Sequence, residues 1–264
     1  GSKVTILERS KRIMSREDED VSDEMAKIFQ EENIEIITEA EPVKIEKGKE
    51  INVQFKQGSM SRNLSCSHIL IATGRAPQTE RLGLEKAGIK TDDRGHILVN
   101  PKLQTNVEGI YALGDVKGGP AFTHISYNDY TIVYRNLLEK TIYTINDRPV
   151  PYCMFTDPQL GRIGISEKEA KAQKLDYKVA KIPMNQVARG IETNETQGFM
   201  KAIVDAKTRK ILGASILASE GGEIMSVLEM AMEGGITYDR IRYCVFAHPT
   251  YSESLNNLFM KIED

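Results

Sequence analysis

The first 37 residues restrict the fold more than any other part of this 264-residue chain. Residues 4–8, with the sequence VTILE, predict a buried strand that ends at an acidic residue. A helix is expected next, because an acidic stretch that suits a helix N-terminus precedes apolar residues at helical spacing, Val21, Met25, Ile28 and Phe29. Residues 34–37, IEII, predict a second short strand. A strand, a helix and a strand in this order are typical of a parallel α/β sheet.

Glu8 closes the first of these strands. In a dinucleotide-binding unit, the acidic residue that ends the second strand hydrogen-bonds the adenosine ribose. The glycine-rich turn for the pyrophosphate should stand about 20 residues upstream of that acid. Only residues 1–7 precede Glu8. We therefore expect either a different fold or a fragment that starts inside a nucleotide-binding domain.

The middle of the chain alternates between strand-like and turn-like segments. Residues 43–45 and 51–55, with a Lys-Gly-Lys turn between them, predict a small β-meander. Residues 69–74, ILIATG, predict a buried strand that runs into a turn at Gly74, with Arg75 next. A helix is expected at residues 80–86, and a hairpin turn at residues 93–95 leads to a strand at residues 97–99.

Gly114 and Asp115 follow an apolar stretch, residues 110–113, that predicts another buried strand. Open α/β sheets bind ligands at the carboxyl ends of their strands, where a glycine allows close approach and a carboxylate accepts hydrogen bonds from polyol hydroxyls. The next helix is expected to contain Thr123 and His124 in its first turn, and the N–H groups there favour an electron-rich ligand atom. The alternative is an ordinary strand-to-helix turn in which Asp115 is a local cap.

Residues 149–151, PVP, are a candidate domain boundary. Beyond them, strand and helix patterns are interspersed in a way typical of an α+β domain with an antiparallel sheet. Residues 205–210 predict a hairpin turn. The expected strands are residues 162–165, 198–204 and 211–217, and the expected helices are residues 166–173 and 223–233.

His248 and Glu253 form the strongest candidate for chemistry. Pro249 fixes its own φ and biases His248 towards extended backbone. Glu253 lies five residues on, where it could accept the ring N–H and fix the tautomer. A histidine oriented by a carboxylate is a common acid/base arrangement at neutral pH. The alternative is structural, because Thr250 followed by Glu253 matches a capping box, which stabilises a helix start by roughly 1 kcal/mol.

The composition excludes some classes of function. The net charge is −3 and the basic residues are spread along the chain, so no electrostatic footprint for nucleic acid is present. No apolar run reaches membrane-spanning length, and no signal peptide pattern opens the chain. Cys66, Cys153 and Cys244 are too far apart for a disulfide framework or a metal knuckle. We therefore expect no metal site, no membrane or nucleic-acid partner, and a reducing, cytoplasmic location.

Taken in this order, the motifs resemble those of the class I pyridine nucleotide–disulfide oxidoreductases, the flavoenzyme family of dihydrolipoamide dehydrogenase, glutathione reductase and mercuric reductase. Residues 122–129 and 252–259 look most similar to the mercuric-reductase-like branch. The matching motifs span essentially the whole chain. They are residues 4–8, 72–77, 105–115, 155–158, 198–201 and 248–253.

The resemblance implies an α/β, partial Rossmann-like region for NAD and FAD binding, followed by an α+β dimerisation domain with an antiparallel sheet. Residues 1–72 would be the C-terminal part of the NAD(P)-binding domain. Residues 73–148 would be the returning segment of the FAD-binding domain. Residues 149–264 would be the dimerisation domain of a homodimer.

The resemblance also implies roles for single residues. Glu8 would contact the NAD ribose, and Asp115 would bind the ribityl chain of FAD. Thr123 and His124 would face the flavin ring, and His248 would be the acid/base for a redox-active thiol in the partner subunit's active site, oriented by Glu253. The remaining cofactor-binding candidates lie in the same motifs: Gly74, Arg75 and Gly114.

The chain departs from the family pattern in its cysteines and glycines. It lacks the redox cysteine pair, both GxGxxG turns and the vicinal Cys-Cys near the end of mercuric reductases, which argues against Hg(II) handling of the usual kind. Glu8 favours NADH by repelling a 2′-phosphate, whereas Arg9 beside it could accept one. We therefore expect an inactive C-terminal fragment of an enzyme that passes hydride from NAD(P)H through FAD and a redox disulfide to a disulfide or metal-ion substrate.

Two other functions remain open from the sequence. One is a folded dimerisation module without chemistry of its own. The other is a family member that lacks redox cysteines and acts as an NADH oxidase or quinone reductase.

Overall fold

The computed structural model describes residues 1–146 and 148–263. The strands are β1 Thr5–Leu7, β2 Glu35–Ile37, β3 Ala40–Lys47, β4 Ile51–Gln57, β5 Met60–Cys66, β6 Tyr152–Met154, β7 Gln159–Gly164, β8 Tyr177–Pro183, β9 Phe199–Asp205 and β10 Ile211–Ala218. The helices are α1 Glu19–Glu31, α2 Thr123–Leu138, α3 Glu167–Ala172, α4 Ala188–Thr193, α5 Gly221–Glu233, α6 Tyr238–Arg242 and α7 Ser254–Phe259. The chain forms two compact units, one of residues 1–70 with 151–264 and one of residues 71–150.

The predicted strand-helix-strand order at the start of the chain is confirmed. β1 pairs in parallel with β2, with Ile6 opposite Ile36, and α1 lies between them in the chain. Acidic residues occupy the first turn of α1, where they suit the N-terminal end of the helix dipole. The buried face of α1 includes three of the four residues whose spacing predicted the helix, Val21, Met25 and Ile28, and the fourth, Phe29, is partly buried.

The predicted β-meander is also confirmed. β3, β4 and β5 form a three-stranded antiparallel sheet in chain order. Its buried residues include Ala40 and Phe55, which form a small core with Ile37 of β2. The rest of β3 after Ala40 is exposed, including the apolar Val43 and Ile45.

The last third of the chain forms a five-stranded antiparallel sheet in the order β6-β7-β10-β9-β8, which confirms the predicted antiparallel architecture. Alternate residues of β10 pack into different cores. Ile216 joins a core that contains Leu228 of α5 and Leu258 of α7, whereas Leu217 joins one that contains Met25 of α1. Because the sheet is covered on both faces, β9 and β10 are apolar along nearly their whole length.

Two predictions for the unit of residues 71–150 and its border are wrong. Residues 69–74 are not a strand, and Leu70 is 89% exposed. A strand needs a neighbour to bond its backbone groups, and no strand within the described residues pairs with this segment. Residues 80–86 form turns instead of a helix, because Gly83 adopts a left-handed φ of 62° that a helix cannot continue through.

The other elements predicted in this unit are present in reduced form, except for α2. The stretches expected as strands at residues 97–99 and 110–113 each form one isolated bridge, Thr91 to Ile97 and Gln104 to Tyr111. The predicted helix that begins near Thr123 is confirmed as α2.

Candidate functional site

His248 and Glu253 are in direct contact. The Nδ1 atom of His248 lies 3.0 Å from each carboxylate oxygen of Glu253. The two side chains differ in exposure, with His248 68% exposed and Glu253 17% exposed. The His248–Pro249 peptide bond is cis. The histidine ring is thus offered to solvent while the carboxylate that holds it is largely covered.

The predicted capping box is half formed. The backbone N–H of Glu253 donates to Thr250 Oγ1 at 3.2 Å, one residue before α7 begins. The reciprocal bond of a capping box needs the acidic side chain to turn back to the backbone. Here the Glu253 carboxylate turns to His248 instead. Glu253 therefore takes part in both the helix cap, through its backbone N–H, and the pair with His248, through its carboxylate.

This contact fixes how the His248 ring can act. A carboxylate accepts hydrogen bonds, so Nδ1 is the ring nitrogen that carries the hydrogen. In the neutral ring, Nε2 is then the atom able to take up a proton, and the carboxylate stabilises the imidazolium that results. The pair is chemically equipped to move one proton at Nε2.

A second group of predicted residues meets in an open cleft of the unit of residues 71–150. Arg75 Nη1 lies 3.6 Å from Asp115 Oδ2, and the Asp115 side chain is half-exposed. The Asp115 carboxylate accepts no hydrogen bond from the residues that the structure describes. The cleft has a volume of about 490 Å³ and is lined by Arg75, Leu113, Gly114, Asp115, Ala121, Phe122, Thr123 and Ser126.

The floor of this cleft depends on residues that the sequence did not single out. The N–H of Gly114 donates to Asp129 Oδ2 at 2.8 Å, and Asp129 is fully buried. Arg148 and Lys117 lie 2.6 Å and 3.3 Å from the Asp129 carboxylate. A signal was available, because Asp129 shares the buried face of α2 with apolar residues four positions before and three after it.

Gly114 allows Ser126 of α2 to lie close to the backbone at this cleft. Gly114 has a φ of 71°, and a Cβ atom added there would lie 2.8 Å from Ser126 Oγ. Phe122 occupies the N-cap of α2 and has no side-chain acceptor for the helix N–H groups. The Asp115 carboxylate lies next to Arg75 and can accept hydrogen bonds from ligand hydroxyl groups. These residues fit the polyol part of a flavin cofactor.

The other predicted cofactor residues are not among those that line this cleft. The His124 ring stacks on Phe122 with 5.2 Å between ring centroids. Gly74 has a φ of 128° and is exposed. Glu8 follows β1 and accepts the Ser10 N–H at 2.6 Å. Within the described part of the chain, neither a hydrogen bond nor an ion pair joins Glu8 to His248 or Glu253.

The cysteines and acidic residues of the described ranges form no metal-binding group of three or more ligands. Cys66, Cys153 and Cys244 are free thiols, and burial, together with the charge of Glu223, raises the pKa of the Cys153 thiol. No described helix has the length and the apolar character that a membrane crossing requires.

Comparisons with known proteins cover both units. The model of the family "Pyridine nucleotide-disulphide oxidoreductase" matches residues 1–129, and that of its dimerisation domain matches residues 150–259. The "Probable pyridine nucleotide-disulfide oxidoreductase RclA" of Escherichia coli K12 is 39% identical over all of this chain, which covers 59% of that relative. A mercuric reductase of Staphylococcus aureus is 32% identical over 97% of this chain and 47% of its own length.

The solved structures agree with the sequence matches. The HOCl-induced flavoprotein disulfide reductase RclA from Escherichia coli superposes with a TM-score of 0.93 at 38% identity, covering 100% of this chain and 60% of that one. The chain thus spans about three fifths of the length of this relative and about half of the length of the mercuric reductase. On the matches to both family models, this chain belongs to the class I pyridine nucleotide–disulfide oxidoreductase family.

Proposed function

We propose that this chain is the C-terminal portion of an FAD-dependent NAD(P)H oxidoreductase that delivers reducing equivalents to a disulfide or a metal ion. The chain covers 59% of one relative and 47% of another, which supports a portion of a longer protein. The domain assignment predicted from the sequence is retained in the proposal, with residues 1–72 for NAD(P) binding, 73–148 for FAD binding and 149–264 for dimerisation.

The contact between His248 and Glu253 carries the proposal. His248 would take a proton from a redox-active thiol at Nε2, leaving a thiolate, and would return the proton to the thiolate that leaves the reduced substrate. Glu253 would hold the ring and stabilise its protonated form. FAD and NAD(P)H would supply the two-electron transfer when bound.

The exposure of His248 suggests where that thiol lies. The side chain is 68% exposed in a single protomer, although an acid/base group works best in a site that excludes water. A match to a dimerisation domain covers this part of the chain. In a homodimer formed through residues 149–264, the ring would enter the active site of the partner subunit.

The cleft at Asp115 would hold the cofactor. Asp115 would accept hydrogen bonds from hydroxyl groups of the ribityl chain. Gly114, which has no side chain, would allow the ribityl chain to lie close to the backbone. Gly74, Arg75, Thr123 and His124 would complete the FAD contacts, and Glu8 would bind the ribose of NAD. The role of Asp115 is supported by its half-exposed carboxylate in the cleft. The other roles follow the family resemblance.

The substrate class rests on the relatives alone. One is a flavoprotein disulfide reductase and another is a mercuric reductase. One solved structure of the Escherichia coli relative is a Cu(II) complex. A disulfide and a metal ion are therefore the two substrates to test.

The test separates the two half-reactions in the full-length protein. Rapid mixing with NADH follows flavin reduction, and mixing with a chromogenic aromatic disulfide follows thiol release. We expect His248→Gln to slow thiol release by roughly 100-fold or more while flavin reduction is kept. His68→Gln is the control, because His68 is an exposed histidine that follows β5. Equal thiol release in the two variants would contradict the proposal.

A further inference from the structure

The connection between α6 and α7 carries both members of the His248–Glu253 pair. Residues 243–253 form neither helix nor strand, and Val245 within them is 95% exposed. A segment of this kind loses conformational entropy when it is held in one arrangement. The alignment of the histidine with the carboxylate therefore depends on contacts that hold the connection in place.

Asn256 closes this connection from the side of α7. Its Nδ2 group donates to the backbone oxygen of Ile241 at 2.7 Å and to that of Cys244 at 3.0 Å. A third oxygen, of Arg242, lies 3.4 Å away. The backbone N–H of Asn256 also bonds the carbonyl of Glu253 at 3.0 Å. One amide side chain thus joins the end of α6, the start of the connection and the helix turn that follows Glu253.

Tyr251 is a second anchor for the same segment. Its hydroxyl lies 2.7 Å from Thr193 Oγ1 at the end of α4, and its ring packs against the main core. Between the two anchors, Thr250 Oγ1 donates to the Ala247 carbonyl at 2.9 Å, which braces the turn around His248 from within. These bonds all form inside one protomer.

We propose that Asn256, assisted by Tyr251, is a positioning residue that holds His248 against Glu253 before any partner subunit is present. The inference rests on the proposed acid/base role of His248. Asn256 is half-buried and its amide hydrogens are committed to carbonyl oxygens, so it acts through the histidine and not on a substrate.

Two isosteric substitutions on one helix turn test this. Asn256→Asp keeps the shape of the side chain but replaces the donor with a carboxylate that faces carbonyl oxygens. Asn257→Asp adds the same charge one residue on, at an exposed side chain without a hydrogen bond to any described residue. In the full-length holoenzyme, we expect Asn256→Asp to lower kcat for disulfide reduction about tenfold with an unchanged KM for NADH, and Asn257→Asp to change neither.

A double-substitution cycle shows whether Asn256 acts through His248. In a His248→Ala background, Asn256→Asp should cause no further loss, because the group it positions is absent. If His248→Ala alone leaves turnover unchanged, the proposed function fails. If His248→Ala lowers turnover but Asn256→Asp behaves like Asn257→Asp, or lowers turnover further in the His248→Ala background, the positioning inference fails alone.

Two further measurements keep the inference testable if Asn256→Asp folds poorly. Tyr251→Phe removes only the hydroxyl anchor and should lower kcat roughly fivefold, again only when His248 is present. Nitrogen-15 NMR of the His248 ring should show hydrogen on Nδ1 in the unmodified protein and a mixture of tautomers in Tyr251→Phe. An unchanged kcat together with an unchanged tautomer would overturn the inference.

Discussion

The ammonium group of Lys201 lies 3.1 Å from a carboxylate oxygen of Asp18, and both side chains are almost fully buried. Asp18 also accepts the backbone N–H groups of Glu167 and Lys168 at the start of α3. The Glu167 carboxylate is 2.6 Å from the same ammonium group. Buried charge therefore fixes the segment before α1 to strand β9.

Removing the Lys201 charge should destabilise the fold. Lys201→Met keeps the aliphatic stem but leaves the Asp18 carboxylate buried without its cation, which costs about 3 kcal/mol. Urea unfolding followed by circular dichroism measures the change. Lys207→Met is the control, because Lys207 is 81% exposed and its ion pair with Asp176 is 3.6 Å long. A similar stability for both variants would contradict the role of the buried pair.

The same cluster predicts a loss of stability in acid. Burial alone raises the pKa of Asp20, but hydrogen bonds from Lys181 and Lys201 and their charges outweigh it, so the pKa lies below its ordinary value of 3.8. A carboxyl group with a lowered pKa stabilises the fold above that ordinary value, and its contribution disappears as the pH falls through the folded-state pKa. At pH values below 3.8, the melting temperature should therefore decrease less steeply with falling pH in Asp20→Asn than in the unmodified chain. Asp23→Asn, on the same helix, is the control. If the melting temperature of Asp20→Asn decreases with falling pH as steeply as that of the unmodified chain, Asp20 does not contribute to the loss of stability in acid.

Flavin retention tests the cleft at Asp115. In the full-length protein, Asp115→Asn removes the carboxylate that we propose accepts hydrogen bonds from the ribityl hydroxyl groups. The Kd for FAD should therefore rise roughly tenfold or more. The ratio of flavin to protein absorbance after gel filtration reports the loss, and fluorescence titration gives the Kd. Glu108→Gln, at an exposed acid of the same unit, should retain flavin. Full retention in Asp115→Asn would remove Asp115 from the binding site.

Coenzyme preference tests Glu8 and its neighbour. Glu8→Ser should raise kcat/KM for NADPH relative to NADH by roughly fivefold, because one negative charge near the 2′-phosphate is removed. Arg9→Ser should shift the ratio the other way, since it removes the cation that could accept that phosphate. Steady-state kinetics with both coenzymes measures the two ratios. Shifts in the same direction, or none, would place the ribose elsewhere.

The sequence predicted most clearly the elements that have a regular apolar pattern. The apolar spacing of residues 21–29 predicted α1, and the order of strand and helix patterns in the last third predicted the antiparallel sheet that contains β9 and β10. Edge strand β8 was missed, because Lys178, Lys181 and Pro183 weaken its apolar pattern. Residues 69–74 were overpredicted, because an apolar run shows that a segment suits a sheet but not that a neighbouring strand is there to pair with it.

The candidate site shows the same limit. The five-residue spacing was enough to predict the contact of His248 with Glu253, because a proline and a helix start fix the local backbone. The support from Asn256 and from Asp129 was not predicted, since each depends on backbone groups that tertiary folding brings near. Local geometry could be inferred from local sequence, whereas the contacts that hold it in place required the fold.

In the proposed homodimer, His248 acts in the active site of the partner subunit. Mixed dimers of the full-length protein test this directly. One subunit carries His248→Gln with the proposed redox cysteine pair intact, and the other carries His248 with that cysteine pair replaced by serine. Neither homodimer should reduce a disulfide.

The mixed dimer should recover activity, because one of its two active sites combines an intact cysteine pair with His248 from the opposite subunit. Purification through two different affinity tags isolates the mixed species, and turnover of the disulfide substrate is then compared with that of the homodimers. Recovery of turnover is the predicted result. Mixed dimers as inactive as both homodimers would contradict the account.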